Sequence, residues 1–321
     1  MGNEMSIYRA FSVAIFTVLL FVAGSRSVQA ETPTLRVFTG STAHWADLIV
    51  AIKKGFFTEQ GLTVQPTFFT TGAAATESFL AGNGDVVLTC ELASIGMWKR
   101  GSVVGISRQA RLFDQEFLVV RGDIEKPSDL EGKIIATRYG STVEYFLRKY
   151  LREEGVALDK LKIINLEPAD TVIALDKGEI DGYTNYIPFP QLSLLATKSA
   201  KVLATSGKYI DENCIYSASK KAISEKKTSL VKFLKAIRKA QSYIPANMDE
   251  AVSISVAQFR GKPDDVRFLL EHMKFQLGYD RILRKNVEEV ADFFDMGKID
   301  WQNWFDPSVL AQAAPDLVEE K

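Results

Sequence analysis

Histidine and cysteine are nearly absent, with two of each in 321 residues. His44 and His272 stand far apart, and neither has a second ligand at metal-binding spacing, so no metal centre is read from the chain. There is no G-x-S-x-G elbow and no phosphate-binding G-x-x-x-x-G-K-[ST] loop, which leaves acyl-transfer and nucleotide chemistry without their usual carriers. An excess of basic charge is also missing. The 39 basic and 40 acidic side chains nearly balance, which argues against a nucleic-acid partner. Beyond residue 30 no apolar run is long enough to cross a membrane, and no internal stretch has the composition of a disordered linker. Cys90 and Cys214 have no metal-ligand spacing. In an exported chain they either pair or remain two buried thiols, and the sequence leaves both readings open.

The first thirty residues read as an address. Ala10–Ser25 carries no charge, Arg9 precedes it, and Val28-Gln29-Ala30 offers small residues for cleavage. This is the pattern of a secretory signal peptide cut after Ala30. A membrane anchor needs about 20 apolar residues, and no cysteine follows the run to carry a lipid. Export to the periplasm is therefore expected. The leader holds Glu4, Arg9 and Arg26, so the mature chain keeps a net charge of −2.

What remains is organised by a repeated signature: large apolar, two residues, Gly, two residues, Asp. It reads Phe79-Leu-Ala-Gly82-Asn-Gly-Asp85 and again Leu175-Asp-Lys-Gly178-Glu-Ile-Asp181. Each copy suggests the last turn of a helix, a left-handed Gly, then a buried strand. Two α/β series surround the copies. Strands are expected over 35–39, 62–69, 103–106, 116–120, 133–137, 161–165, 180–184, 201–204 and 214–218, with helices alternating between them. After Ser219 the pattern turns helical. Helices are predicted over 229–243, 248–259, 263–277 and 283–296, with no strand among them, as a tail that braces the first lobe.

Loops at strand ends are where open α/β sheets bind ligands. Here they are Gly40-Ser41-Thr42, Thr70-Thr71-Gly72, Thr89-Cys90-Glu91 and Tyr139-Gly140-Ser141-Thr142. Hydroxyls beside Gly at a helix start either cap the helix or receive an anion or polar oxygen. Trp45, Tyr183 and Tyr186, with Asn185 between the tyrosines, are candidates for stacking on a ligand or walling a pocket. Glu91, a carboxylate at the end of a buried strand, needs a partner. That partner is a helix start, an arginine (Arg108, Arg111 or Arg138) or a cationic ligand.

Ala51–Val64 (AIKKGFFTEQGLTV), Phe79–Asp85, Asp129–Lys133, Tyr139–Thr142 and Ala174–Asp181 occur in an order that resembles the nitrate/sulfonate/taurine-type substrate-binding proteins of ABC importers. Gly297–Asp300 and Trp304–Asp306 resemble that family's ending. The likeness spans the mature chain. It implies a two-lobe, type II periplasmic-binding-protein-like α/β fold, each lobe a mostly parallel sheet with flanking helices, followed by a helical C-terminal tail. Residues 31–112 and 213–321 would form one lobe and 113–212 the other, with crossings near 112–120 and 214–219. It implies an extracytoplasmic solute receptor that is not an enzyme and has no cofactor or metal. Its ligand would be a small sulfonate-, nitrate- or taurine-like molecule, or a small organic anion. The partners implied are a membrane permease and its ATPase, for a receptor that works as a monomer. Alternatives are a pyrimidine- or menaquinone-precursor enzyme of the same fold, or a sensor lobe for a signalling partner.

The family's pocket loops carry over to Ser41, Thr42, Thr71, Gly72, Cys90, Glu91, Gly140, Ser141, Thr142, Tyr183 and Tyr186. Two departures stand out. The usual Gly and Pro near Cys90 and Ala93 are missing. Where the family often has Asp-Ala-Trp-x-x-Trp-Asp-Pro, this chain has Asp181-Gly-Tyr183-Thr-Asn-Tyr186-Ile187-Pro188, so Ile187 replaces an acid.

Overall fold

Short apolar runs form the strands, and several are buried from end to end. In the computed structural model, which describes residues 32–319 apart from 70 and 71, eleven strands form two sheets. The expected signal peptide (1–30) and Thr71 lie outside the described residues. The strands are β1 (Thr34–Gly40), β2 (Thr63–Phe69), β3 (Val86–Cys90), β4 (Val103–Leu112), β5 (Glu116–Val120), β6 (Ile134–Thr137), β7 (Lys162–Asn165), β8 (Gly182–Tyr186), β9 (Lys201–Thr205), β10 (Glu212–Ser219) and β11 (Met273–Gly278). One sheet has the order β11-β4-β10-β3-β1-β2 and the other β7-β6-β8-β5-β9. Both contain the same parallel triplet, β2-β1-β3 and β7-β6-β8, with an antiparallel strand (β10 or β5) beside its third member. The chain passes between the sheets twice, from β4 into β5 and from β9 into β10.

The repeated signature makes the same joint in both sheets. Gly82 and Gly178 adopt φ of +87° and +73°, the left-handed turn that a side chain resists. Each following Asp then clamps the first strand of its triplet. The Asp85 N–H donates to the Arg36 carbonyl (2.9 Å), while Asp85 Oδ2 accepts from the Arg36 N–H (2.8 Å). Asp181 does the same with Ile134, at 2.8 Å and 2.8 Å. The repeated spacing is therefore that of a side chain standing in for a ladder rung where β3 and β8 begin.

The tail lies against the six-stranded sheet. Leu230, Phe233, Leu234 and Ile237 of the helix Lys220–Ala246 share a core with Leu48, Leu88 and Tyr216. Gln241 fixes the contact. Its amide donates to Asp47 Oδ2 (2.8 Å) and to the Gln109 carbonyl (2.9 Å), and its oxygen accepts from the Leu277 N–H (2.9 Å). One expectation fails here. The helix that begins at Pro263 ends at Glu271, and Met273–Gly278 is not helix but the edge strand β11, antiparallel to β4. Met273 and Leu277 are buried while Lys274 is exposed, the two-residue alternation of a half-buried strand.

Cys90 and Cys214 sit directly opposite each other on β3 and β10 and are joined in a disulfide. Of the two readings left open by the sequence, the structure takes the paired one.

Candidate functional site

A cavity of about 740 Å³ opens where the strands of both sheets end. Gly40–Trp45 follow β1, Gly72 follows β2, Cys90 ends β3, Ser141–Val143 follow β6, and Tyr186–Pro188 follow β8. The crossings supply Leu112, Gln115, Glu116 and Glu212, and the tail supplies the turn from Phe259 to Lys262 with Asp265, Val266 and Leu269. Of the residues picked from sequence, Ser41, Thr42, Trp45, Gly72, Cys90, Ser141, Thr142 and Tyr186 line it.

Four do not. Tyr183 and Asn185 point to the other face of β8, as alternate residues of a strand must. The Tyr183 hydroxyl reaches the Phe189 carbonyl (3.1 Å) and Ser193 Oγ (2.7 Å), and Asn185 Nδ2 donates to the Pro168 carbonyl and to Thr171 Oγ1. Gly140 holds a turn with φ +69° and donates its N–H to Glu144 Oε2 (2.7 Å). Glu91 is buried behind β10, where its carboxylate accepts from the backbone and side-chain N–H groups of Asn213 (3.2 and 3.0 Å). Burial, and then the nearby Glu212, push the Glu91 carboxyl well above the ordinary range. None of the three arginines offered as its partner is used. They pair instead as Arg108 with Asp280, Arg111 with Asp211 and Arg138 with Glu167.

Several of the cavity's polar side chains are already committed to partners within the protein. Gln115 Nε2 donates to the Leu269 and His272 carbonyls, so Gln115 Oε1 accepts from His44 Nε2 (2.6 Å). Burial lowers the His44 value and keeps the ring neutral, with Gln115 opposing. His44 Nδ1 is then an acceptor, and it takes the hydroxyl proton of Thr42 (2.7 Å). Ser141 donates to the Arg138 carbonyl (2.5 Å), and Thr142 donates to Glu212 Oε1 (2.6 Å). Thr42, Ser141 and Thr142 therefore turn lone pairs, not protons, toward the cavity. At the start of the helix Thr142–Glu153 the loop amide is already met by the chain's own Glu144 carboxylate.

Two acids went unnoticed in the sequence. Glu116 opens β5 and Glu212 opens β10, both nearly buried (6% and 8% exposed) in the cavity wall. They lie near enough to bear on each other's charge, and neither is paired with a cation among the described residues. Burial first, and for Glu212 its neighbour Glu116 next, raise both; Glu212 is pushed up to about 8. A legible signal existed, since each Glu stands at the head of a buried run. Arg260 and Lys262, also missed, line the cavity as exposed residues.

The chain matches the model of the family described as NMT1/THI5 like over residues 42–251. It is similar to the taurine-binding periplasmic protein of Escherichia coli (strain K12), at 29% identity over 240 residues that cover 73% of this chain and 72% of that one. Among solved structures it resembles the periplasmic aliphatic sulphonate binding protein SsuA from Escherichia coli (TM-score 0.74, 17% identity, 85% of this chain and 92% of that one). It also resembles the desulfurization enzyme DSZB (TM-score 0.67, 13% identity, 88% and 99%). The fold is that of the periplasmic binding proteins, one that serves both receptors and enzymes. By the extent of that match, this chain belongs to the NMT1/THI5-like family.

Proposed function

We propose that this protein is an extracytoplasmic solute receptor of an ABC importer, holding a small molecule between two lobes. The observation that carries this reading is a cavity assembled from the strand ends of both sheets, with polar groups supplied by each. Residues 31–112 with 213–321 act as one lobe and 113–212 as the other, and the two crossings act as the hinge. Ligand held between them favours a closed population, which a membrane permease and its ATPase then recognise. The leader through Ala30 delivers the chain to the periplasm, where it works as a monomer. Ser41, Thr42, Trp45, Gly72, Cys90, Ser141, Thr142 and Tyr186 are the first residues to test as ligand contacts, and Thr71 joins them by its place in the loop.

Binding is favoured over catalysis by the chemistry of the wall. Cys90 is held in its disulfide, and His44 is tied between Thr42 and Gln115, so neither a thiolate nor a free imidazole faces the cavity. The relatives named for taurine and aliphatic sulphonates make these the first ligands to try. Titration calorimetry of the mature chain against taurine, alkanesulfonates, nitrate and aromatic acids is expected to give one-to-one binding near micromolar Kd, about −8 kcal/mol, for at least one of them. Absence of binding across the whole panel removes this substrate class.

A further inference from the structure

Resting on the receptor reading, we infer that the ligand is anchored by a protonated amine at the two buried cavity acids Glu116 and Glu212, and that the amine takes the place of a proton there. The two acids stand where the crossings end, Glu116 at the head of β5 and Glu212 at the head of β10, and both line the cavity. Both side chains are in the cavity wall, and no cation is paired with either among the described residues. A buried carboxylate needs a partner charge or a proton. A proton can meet that need, and so can the charge of an ammonium group.

Three hydroxyls of the wall agree. The protons of Thr42, Ser141 and Thr142 are committed to protein acceptors. An oxyanion placed there would meet lone pairs, whereas an N–H donor would meet acceptors. Two buried polar atoms of cavity-lining residues also lack any partner: Gln191 Oε1, an acceptor, and the indole Nε1 of Trp45, a donor on a side chain only 6% exposed. The ligand thus carries donors together with at least one acceptor. The exposed part of the lining carries two cations, Arg260 and Lys262, while the two acids are buried in it. An amino-sulfonate or amino acid would sit amine-inward.

The other charges near the pair leave its proton as the group that responds. Asp114 accepts from Thr205 and the Gly207 amide, Asp211 is paired with Arg111, Glu91 lies behind Asn213, and His44 is neutral. Asp265, also in the lining, is half-exposed.

The test is calorimetry at pH 7 in two buffers of different ionisation enthalpy, using matched pairs that differ only in ammonium against hydroxyl. These are taurine with isethionate, and 4-aminobutyrate with 4-hydroxybutyrate. The amine of at least one pair is expected to bind tenfold or more tighter than its hydroxyl partner, roughly 1.4 kcal/mol or more, with release of about one proton per ligand. Glu212→Gln and Glu116→Gln are expected to abolish that preference and the proton release. The wild-type proton count stands by itself if either variant fails to fold. Equal binding of both members, binding without proton release, or silence from every amine each overturns the inference. If an alkanesulfonate without an amine binds in that case, the receptor reading stands and only the anchor falls.

Discussion

Glu212 and His44 give the ligand-free protein opposite responses to pH. Glu212, raised to about 8 in the folded state, keeps a proton that the unfolded chain has lost above about 4.3. The folded state then binds more protons than the unfolded one, so stability falls as pH rises between those values. Glu91 and Glu116, also raised, act in the same sense. His44 is held neutral by burial, so folding gains stability as pH rises through the ordinary imidazole range near 6.5 and gains nothing further above it. Between about pH 7 and pH 8 the acids decide. The melting temperature of the ligand-free protein is expected to fall across that window, and Glu212→Gln to flatten the fall. A level or rising melting temperature in the wild type contradicts the buried pair. Tyr183 makes a second point at this scale. Tyr183→Phe is expected to cost about 1 kcal/mol of stability through its lost hydroxyl bond, with ligand affinity unchanged. A loss of affinity in calorimetry without loss of stability would place the residue back at the ligand. Sequence alone located the β8 segment but not which alternate residues face the cavity, because one step of register swaps every side chain between faces.

The elements were the most legible layer, and their failures have local causes. The spans Glu116–Val120 and Met248–Phe259 are the ones the pattern predicts, because an apolar run or a helical period is bounded there by turn residues. Met273–Gly278 was misread since five residues following an amphipathic helix continue its spacing as readily as they begin an alternation. The signature's Gly was legible from turn chemistry, while the role of its Asp was not, because its partner lies on another strand. Asp85 and Asp181 each hold a backbone N–H that would otherwise go unpaired at the head of a strand. Asp85 also meets Lys226 Nζ at 3.0 Å. Asp85→Ala and Asp181→Ala are each expected to cost about 1–3 kcal/mol, Asp85 the more, as read by denaturant unfolding. If both fall within about 0.5 kcal/mol of wild type, the range of ordinary surface substitutions, the clamp is not a structural joint.

Across the whole molecule, the order of segments carried the two-sheet plan, and what it hid were pairings over long separations. Glu116 with Glu212 and Cys90 with Cys214 are brought together by the two crossings, which no local period encodes. The Cys90–Cys214 bond spans a sequence separation of 124 and encloses every strand of the five-stranded sheet. In the chain-entropy account such a loop contributes about 4–5 kcal/mol. Cys90→Ser with Cys214→Ser is therefore expected to lower the melting temperature by on the order of ten degrees. An unchanged melting temperature would mean that the bond does not constrain the unfolded chain. The central claim is that one small molecule, bound in the cavity between the sheets, draws the two halves together. Small-angle scattering of the mature chain, with and without the tightest binder from the amine and sulfonate panel, tests it most directly. The account predicts a smaller radius of gyration at saturation, lost in a Thr142→Trp variant that fills the cavity. A bound ligand that leaves the wild-type scattering profile unchanged would contradict it.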